Sequence, residues 1–481
     1  MNNQSDEERV EFSGGGPPNV SMRSAVLILV VIGIAFACYW GGFNTSQILS
    51  VSVFSSAVLA TLLFWQFRLA IAFLGIGVLL ITRTIDVEHF VLFSSLDVIS
   101  FLIAMMVIVG MLKEIGFFNW LILRLVALSR NSARRFVVLI CLSSALLACL
   151  VDEVTSIIFI VSIVLEMSDH YRVDPVPLVI SSVLATNIGS AGTMLGNPIG
   201  ILIGMRAGFT FEDFVRWSLP IMLVCLLVTI LVILIWYRKD VGLLQKGMLS
   251  ESKDEGASRS WDGVFKQKEY KIGVSIFVGT IALIAMHYRL ELLFGFSKNS
   301  LLLAAPIMGA GITMVWKREK ARYYIERSVD WWTLLFFLML FAKAGTLKYT
   351  GATDVIAKDL TRLAGHSFVS LLSMVTWTAC IGSSVLDNVV LVSAMIPMVQ
   401  SIAQLGFDPF PLWWALLFGG CFGGNITMVG STANIVALGM LEKEKKYSMP
   451  FLRWLWIGLT TGLLITGVSE LLLILLRTLM P

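Results

Sequence analysis

Residues 215–237, VRWSLPIMLVCLLVTILVILIWY, carry no charge after Arg216. About 20 predominantly apolar residues are what a helix needs to cross the hydrocarbon core of a bilayer. No water is available there to bond the main chain, so a spanning segment must satisfy its own backbone. Comparable runs recur at roughly 24–42, 47–66, 68–82, 97–115, 176–205, 271–288, 299–316, 331–348, 408–441 and 450–477. Two more apolar stretches, 136–168 and 367–404, are broken at their centres by acidic residues. The expected fold class is therefore all-α and polytopic in the membrane, with about eleven transmembrane helices. Hydrophobic residues make up 57% and charged ones 14% of the 481, against about a quarter charged in soluble proteins.

Several function classes drop out. The net charge of +4 is small and scattered, which gives no footprint for nucleic acid. The six cysteines (Cys38, Cys141, Cys149, Cys225, Cys380, Cys421) lie in apolar segments without CxxC spacing, so neither a disulfide framework nor a metal site is expected. His89, His170, His287 and His366 are isolated from one another. No GxSxG, HExxH, Walker A or GxGxxG context appears, so no enzyme, no cofactor and no ATP-driven step is expected. The opening MNNQSDEERVEFSGGGPPNV lacks the basic start of a signal peptide and reads as a disordered tail over 1–20.

The chain then divides into N-terminal helices (21–94), a first unit (95–237), a polar linker (238–270), connecting helices (271–327) and a second unit (328–481). The two units are repeats. SLDVISFLIAMMVIVG from Ser95 resembles SVDWWTLLFFLMLFAK from Ser328, and CLVDEVTSIIFIVSIV from Cys149 resembles SVLDNVVLVSAMIPMV from Ser384. TMLGNPIGI at 193–201 resembles TMVGSTANI at 427–435, and FVRWSLP at 214–220 resembles FLRWLWI at 451–457. Basic clusters mark the cytoplasmic side: Arg124, Arg130, Arg134 and Arg135, the linker, KREKAR at 317–322 and EKEKK at 442–446. All four share one side only if 136–168 and 367–404 are re-entrant hairpins. The amino terminus is then cytoplasmic, the carboxyl terminus outside, and the repeats are inverted. Inverted repeats with interrupted helices point to a secondary transporter whose site lies near the midplane.

Both hairpin centres place an acid at depth, in LVDEVTS (150–156) and VLDNVVL (386–392). A lone charge there costs about 2.5–3.5 kcal/mol on insertion scales. Asp152 and Asp387 are accordingly expected to face a cavity while capping the second hairpin arm. Glu153 stands beside Asp152 where the other copy has Asn388. Two neighbouring carboxylates in low dielectric do not both ionise easily, so Glu153 is expected to share a proton and to serve coupling.

In TNIGSAGTMLGNP (186–198), Gly189, Gly192, Gly196 and Pro198 unwind a span and free carbonyls. GGCFGGNITMVGSTANI (419–435) has the same build. Small residues pack helices closely, which covers the glycines but not Asn187, Asn197, Asn425 and Asn434 beside them. Lys343 lies about 18 Å into its span, near mid-bilayer, and is expected to pair with Asp387 or another site carboxylate and to take part in coupling. Trp331, Trp332, Trp413, Trp414, Trp454 and Trp456 lie at span ends and read as interfacial anchors.

At these residues the chain resembles the ion transporter superfamily, in the branch of arsenite permeases, D-type sodium–proton antiporters and the P-protein, with divalent anion–sodium symporters more distant. The resemblance covers about 95–477 and rests on VDEVTS, LDNVV, TNIGSAGTMLGNPIGILIG and GGNITMVGSTANIVALG. It implies an eleven-span inverted-repeat fold, a moving transport domain and a homodimer in the plasma (inner) membrane. It carries binding roles onto Asp152, Asn187, Gly189, Thr193, Asn197, Asp387, Asn388, Asn425, Thr427, Ser431 and Asn434; Thr155 is a further binding candidate, and Asn187, Gly189 and Asn425 are a candidate sodium site. Glu153 replaces the usual Asn, Gly196–Gly200 replaces a GDPPN-like run, and Lys343 is added; these departures favour protons over sodium. The expected function is secondary transport of a small anion or oxyacid, arsenite-like or organic, coupled to protons. A sodium–proton antiporter is the alternative of similar fold, and a non-transporting scaffold the alternative of another class.

Overall fold

The computed structural model describes residues 20–64, 67–118, 120, 128–129, 132–251, 268–365 and 367–480, and every regular element among them is helical. Helices α1 (Val20–Trp40), α2 (Thr45–Leu63), α3 (Arg68–Ile81) and α4 (Val87–Phe93) precede α5 (Leu96–Glu114). α6 (Ala133–Leu150) and α7 (Glu153–His170) form the first hairpin. α8 (Val176–Gly189) and α9 (Pro198–Ala207) are two halves of a broken span, followed by α10 (Leu219–Trp236) and α11 (Arg238–Glu251). α12 (Lys268–Phe294), α13 (Ser300–Trp316), α14 (Trp331–Tyr349) and α15 (Ala352–Leu363) lead to the second hairpin, α16 (Phe368–Val385) and α17 (Asn388–Gln404). The second broken span is α18 (Phe410–Gly423) with α19 (Thr432–Lys445), and α20 (Phe451–Leu476) closes the fold.

Among the described residues, seven helices are long and apolar enough to cross a membrane, or nine if each bent pair counts as one span. That count includes two hairpin arms, α6 and α16, and passes over α2, α3, α8 with α9 and α18 with α19, whose pieces are too short to register by length alone.

Both hairpins leave on the face they entered. α11 touches both ends of the first: Gln245 Oε1 accepts from Ala133 N at 2.9 Å, and Gly247 lies against the Tyr171 carbonyl. In the second, Ser401 near the end of α17 bonds Thr353 of α15, just ahead of α16, at 3.3 Å. The halves face opposite ways. α9 packs on α17, and α19 packs on α7, so each broken span ends against the other repeat's hairpin. Lys445 pairs with Asp169, and Arg453 with Asp174 at 2.8 Å, on the face of the first hairpin's ends. Arg206 and Asp97 meet at 4.0 Å on the opposite face.

Two sequence expectations look different here, and a third falls where nothing is described. The tail over 1–19, Arg124, Arg130 and linker residues 252–267 lie outside the described residues. The linker's first part, 238–251, is the helix α11. Its stretch lacks proline and buries Val241, Leu244 and Met248 at helical spacing. Trp413, Trp414 and Trp454 are core rather than interfacial, at 4%, 0% and 0% exposure. Trp414 stacks on Phe209 with centroids 4.6 Å apart, and the Trp454 indole donates to the Asn425 carbonyl at 3.1 Å. Trp331, Trp332 and Trp456 are exposed, as anchors are.

The broken spans approach their hairpins at glycine. A Cβ on Gly189 would overlap the Ala145 main chain, and one on Gly423 the Cys380 main chain, the same position in each repeat. Backbone cannot yield as a flexible side chain does, so the penalty exceeds the about 1–3 kcal/mol usual for overpacking. Gly189→Val and Gly423→Val should each lower the melting temperature of the purified protein by several degrees or abolish monodisperse protein. Gly279→Ala, whose Cβ would meet nothing within 4 Å, should leave it unchanged; thermal melts of the three variants check this.

Candidate functional site

At each hairpin tip an aspartate caps the second arm. Asp152 Oδ1 accepts from Thr155 N at 2.8 Å, and Asp387 Oδ1 from Val389 N at 3.0 Å. The capping expected of tip acids is thus present, with each carboxylate at the positive end of a helix. Asp387 Oδ2 also accepts from Thr432 Oγ1 at 2.7 Å, tying the second tip to the start of α19. The first repeat has Pro198 where the second has Thr432, and so lacks that tie.

The breaks are built alike. Asn197 accepts from Gly200 N at 2.8 Å to cap α9, with Pro198 at the first helical position, where its missing N–H is harmless. Ser431 accepts from Ala433 N at 3.2 Å to cap α19. The Thr193 hydroxyl donates to the Cys149 carbonyl, and the Thr427 hydroxyl to the Ser384 carbonyl. Each threonine accepts in return from the amide two residues on, at 3.2 Å from Leu195 and 3.3 Å from Val429. Each break is therefore stitched to its own hairpin tip by a threonine hydroxyl, and the second also by Thr432.

Asparagine side chains join the repeats. Asn187 Nδ2 donates to Asn425 Oδ1 and to Asn434 Oδ1, both at 2.8 Å. Asn434 Nδ2 donates onward to the carbonyls of Gly424 at 2.7 Å and Thr427 at 2.8 Å. Asn197 Nδ2 bonds Ser190 Oγ at 2.9 Å and reaches Cys421 Sγ of the other repeat at 3.1 Å.

Not every polar atom here is satisfied by protein. Glu153 Oε2, Asn187 Oδ1 and both polar atoms of the Asn388 side chain are buried without a hydrogen-bond partner. Glu153 lies beside Asn388, on the opposite tip, and Ser190, in its own break. An unpaired amide or hydroxyl in an apolar setting costs roughly 1–3 kcal/mol by protein data. Of the possible sodium ligands, the Gly189 carbonyl accepts from Gly192 N at 2.9 Å and Asn425 Oδ1 from Asn187, leaving Asn187 Oδ1 open. Gly189 is accounted for by its contact with Ala145. Among the described residues no three of His, Cys, Asp and Glu are grouped to hold a metal ion.

Two basic residues differ from expectation. Lys343 is buried, but its ammonium lies against Gly75 of α3 and Val53 of α2, without a hydrogen-bond partner among the described residues. The expected pair with Asp387 is absent because this side of α14 faces α2 and α3 rather than the hairpins. Arg68, which the sequence reading passed over, is the buried cation within electrostatic range of Asp387. It donates to Thr333 Oγ1 at 3.2 Å and lies 5.0 Å over the Phe336 ring. A lone arginine at the start of a span reads as interfacial, and only the depth of α3 against α14 separates the two cases.

The comparisons with known proteins point the same way. The model of the citrate transporter family matches residues 59–419 and 344–481. An uncharacterized transporter of Mycobacterium tuberculosis is 31% identical over 350 residues, which cover 72% of this chain and 78% of that protein. The human P protein is 24% identical over 447 residues, covering 78% of this chain and 52% of its own length. Among solved structures, the YdaH transporter of Alcanivorax borkumensis shares the fold with a TM-score of 0.54 at 14% identity, over 82% of this chain and 87% of that one. With its broken spans, its hairpins and a family model matched along most of its length, the chain belongs to the citrate transporter family and is an integral membrane transporter.

Proposed function

We propose that the protein is a secondary active transporter of a small organic anion of the citrate class, coupled to protons. The observation that carries this reading is the set of buried atoms without protein partners where the two tips and the two breaks converge: Glu153 Oε2, Asn187 Oδ1 and the Asn388 amide. Asp152, Glu153 and Asp387 also gather there, so an anion binds only once their charge is reduced. A proton on Glu153 does this and supplies an O–H donor to a substrate carboxylate, while Asn388 adds two N–H donors. Binding of anion and proton are then mutually dependent, which is coupling.

Alternating access follows in this reading from movement of α6–α10 and α16–α20, which hold the site, past the remaining helices. The basic loops favour a cytoplasmic amino terminus and an outside carboxyl terminus, and this reading takes the protein as a homodimer in the plasma membrane. A sodium–proton antiporter remains the second reading, favoured by the same acids: three carboxylates meet, while Lys343 faces away.

Proteoliposomes with separately imposed pH and sodium gradients distinguish the two. Radiolabelled citrate uptake should follow the pH gradient and ignore sodium. Proton movement driven by sodium alone, without any anion, would instead establish the antiporter. Glu153→Gln should reduce pH-driven uptake at least about tenfold, some 1.4 kcal/mol, and uncouple the residue from the pH gradient. Lys343→Met should retain uptake and raise the melting temperature, since it removes an unpartnered ammonium from α2, α3 and α14; lost uptake in well-folded Lys343→Met protein would return Lys343 to the mechanism.

A further inference from the structure

A cleft of about 260 Å³ opens between α9 and α17, which hold the site, and α14, which does not. It lies on the face bearing Ser95 and Lys348. α9 contributes Leu202 and Arg206, α17 contributes Ser393 and Gln400, and α14 contributes Lys348. The charge is lopsided. Lys348 Nζ donates to Gln400 Oε1, a neutral amide, at 2.8 Å, and no carboxylate pairs with it among the described residues. The Arg206 guanidinium donates to Ser95 Oγ and stands 4.0 Å from Asp97, an acid 41% exposed at the rim.

The cleft also points at the site. Leu202 is five residues beyond Asn197 on α9, and Ser393 five beyond Asn388 on α17. At 1.5 Å per residue, each lies about 7.5 Å along its helix from the site residue. Two of the helices that wall the cleft, α9 and α17, therefore begin at site residues.

We propose that this cleft is an entrance subsite for a carboxylate anion, held by Lys348 and Arg206 before it descends to Asn388 and Asn197. The proposal rests on the reading of the cargo as an anion. A narrow cleft of one charge sign with low-dielectric walls concentrates counter-ions and raises on-rates by about 10–10³-fold. The guanidinium fork suits a carboxylate, and the lysine adds a mobile point charge on the opposite wall.

The test uses detergent-solubilised Cys38→Ser/Gln400→Cys protein; Cys38 is the one native cysteine that is not buried. Its modification rates with a sulfonate-bearing and a trimethylammonium-bearing thiosulfonate reagent are each normalised to free cysteine. The anionic reagent should react about tenfold faster, citrate should slow it, and adding Lys348→Gln or Arg206→Gln should bring the ratio toward one. Equal rates, or a faster cationic reagent, would overturn the subsite. If the anionic preference and citrate protection persist while the unmodified protein moves no anion in liposomes, the transport reading falls and the anion subsite stands.

Discussion

One amide spans the middle of this protein. Asn187, in the last turn of α8, donates to Asn425 and Asn434 of the other repeat, and Asn434 passes the network on to the unwound carbonyls of its own break. In hydrocarbon an interrupted helix is tolerated only where protein or an enclosed cavity satisfies the freed groups. Each break's freed carbonyls are met from its own half, and Asn187 holds from the opposite half the Asn434 amide that serves the second break. Individual hydrogen bonds in membranes are worth modest amounts, about 0.6–2 kcal/mol. Their importance here is positional: they fix two hairpin tips and two helix starts around one point.

Capping and binding are not rival roles at the tips. Each aspartate uses one oxygen for the helix behind it, and Asp387 gives its other to Thr432. The residues left with open valences are their neighbours, Glu153 and Asn388. The repeat thus builds two equivalent supports and then differs at the residue after each aspartate, acid in one and amide in the other. In the proton-coupled reading proposed above, that difference lets a site made by repeated copies treat a proton asymmetrically.

Much of this was legible in the sequence, for a physical reason. Glycine, proline and asparagine are conspicuous in oil, so the breaks after Gly189 and Gly423 announced themselves, as did the acids in LVDEV and VLDNV. The basic loops carried the same-side return of the hairpins. What escaped was direction around a helix. Counting residues from Trp331 gives the depth of Lys343 but not the side it faces, and that side is set by the space Gly75 leaves. Arg68 was overlooked for the converse reason, as a charge at a span end that packing of α3 on α14 buries. The buried Trp414 and Trp454 likewise had end-of-span positions without end-of-span surroundings. For Gly189 the close packing expected of a small residue is what the hairpin requires, at the Ala145 main chain.

The central claim is that the two tips and the two breaks enclose a shared site. An experimental density map of the protein in lipid nanodiscs, recorded with and without citrate, tests it most directly. Added density bounded by Glu153, Asn388 and Asn187, beside helices interrupted at 190–197 and 424–431, is the predicted result. Continuous helices through those residues, or citrate density lodged away from both tips, would contradict it.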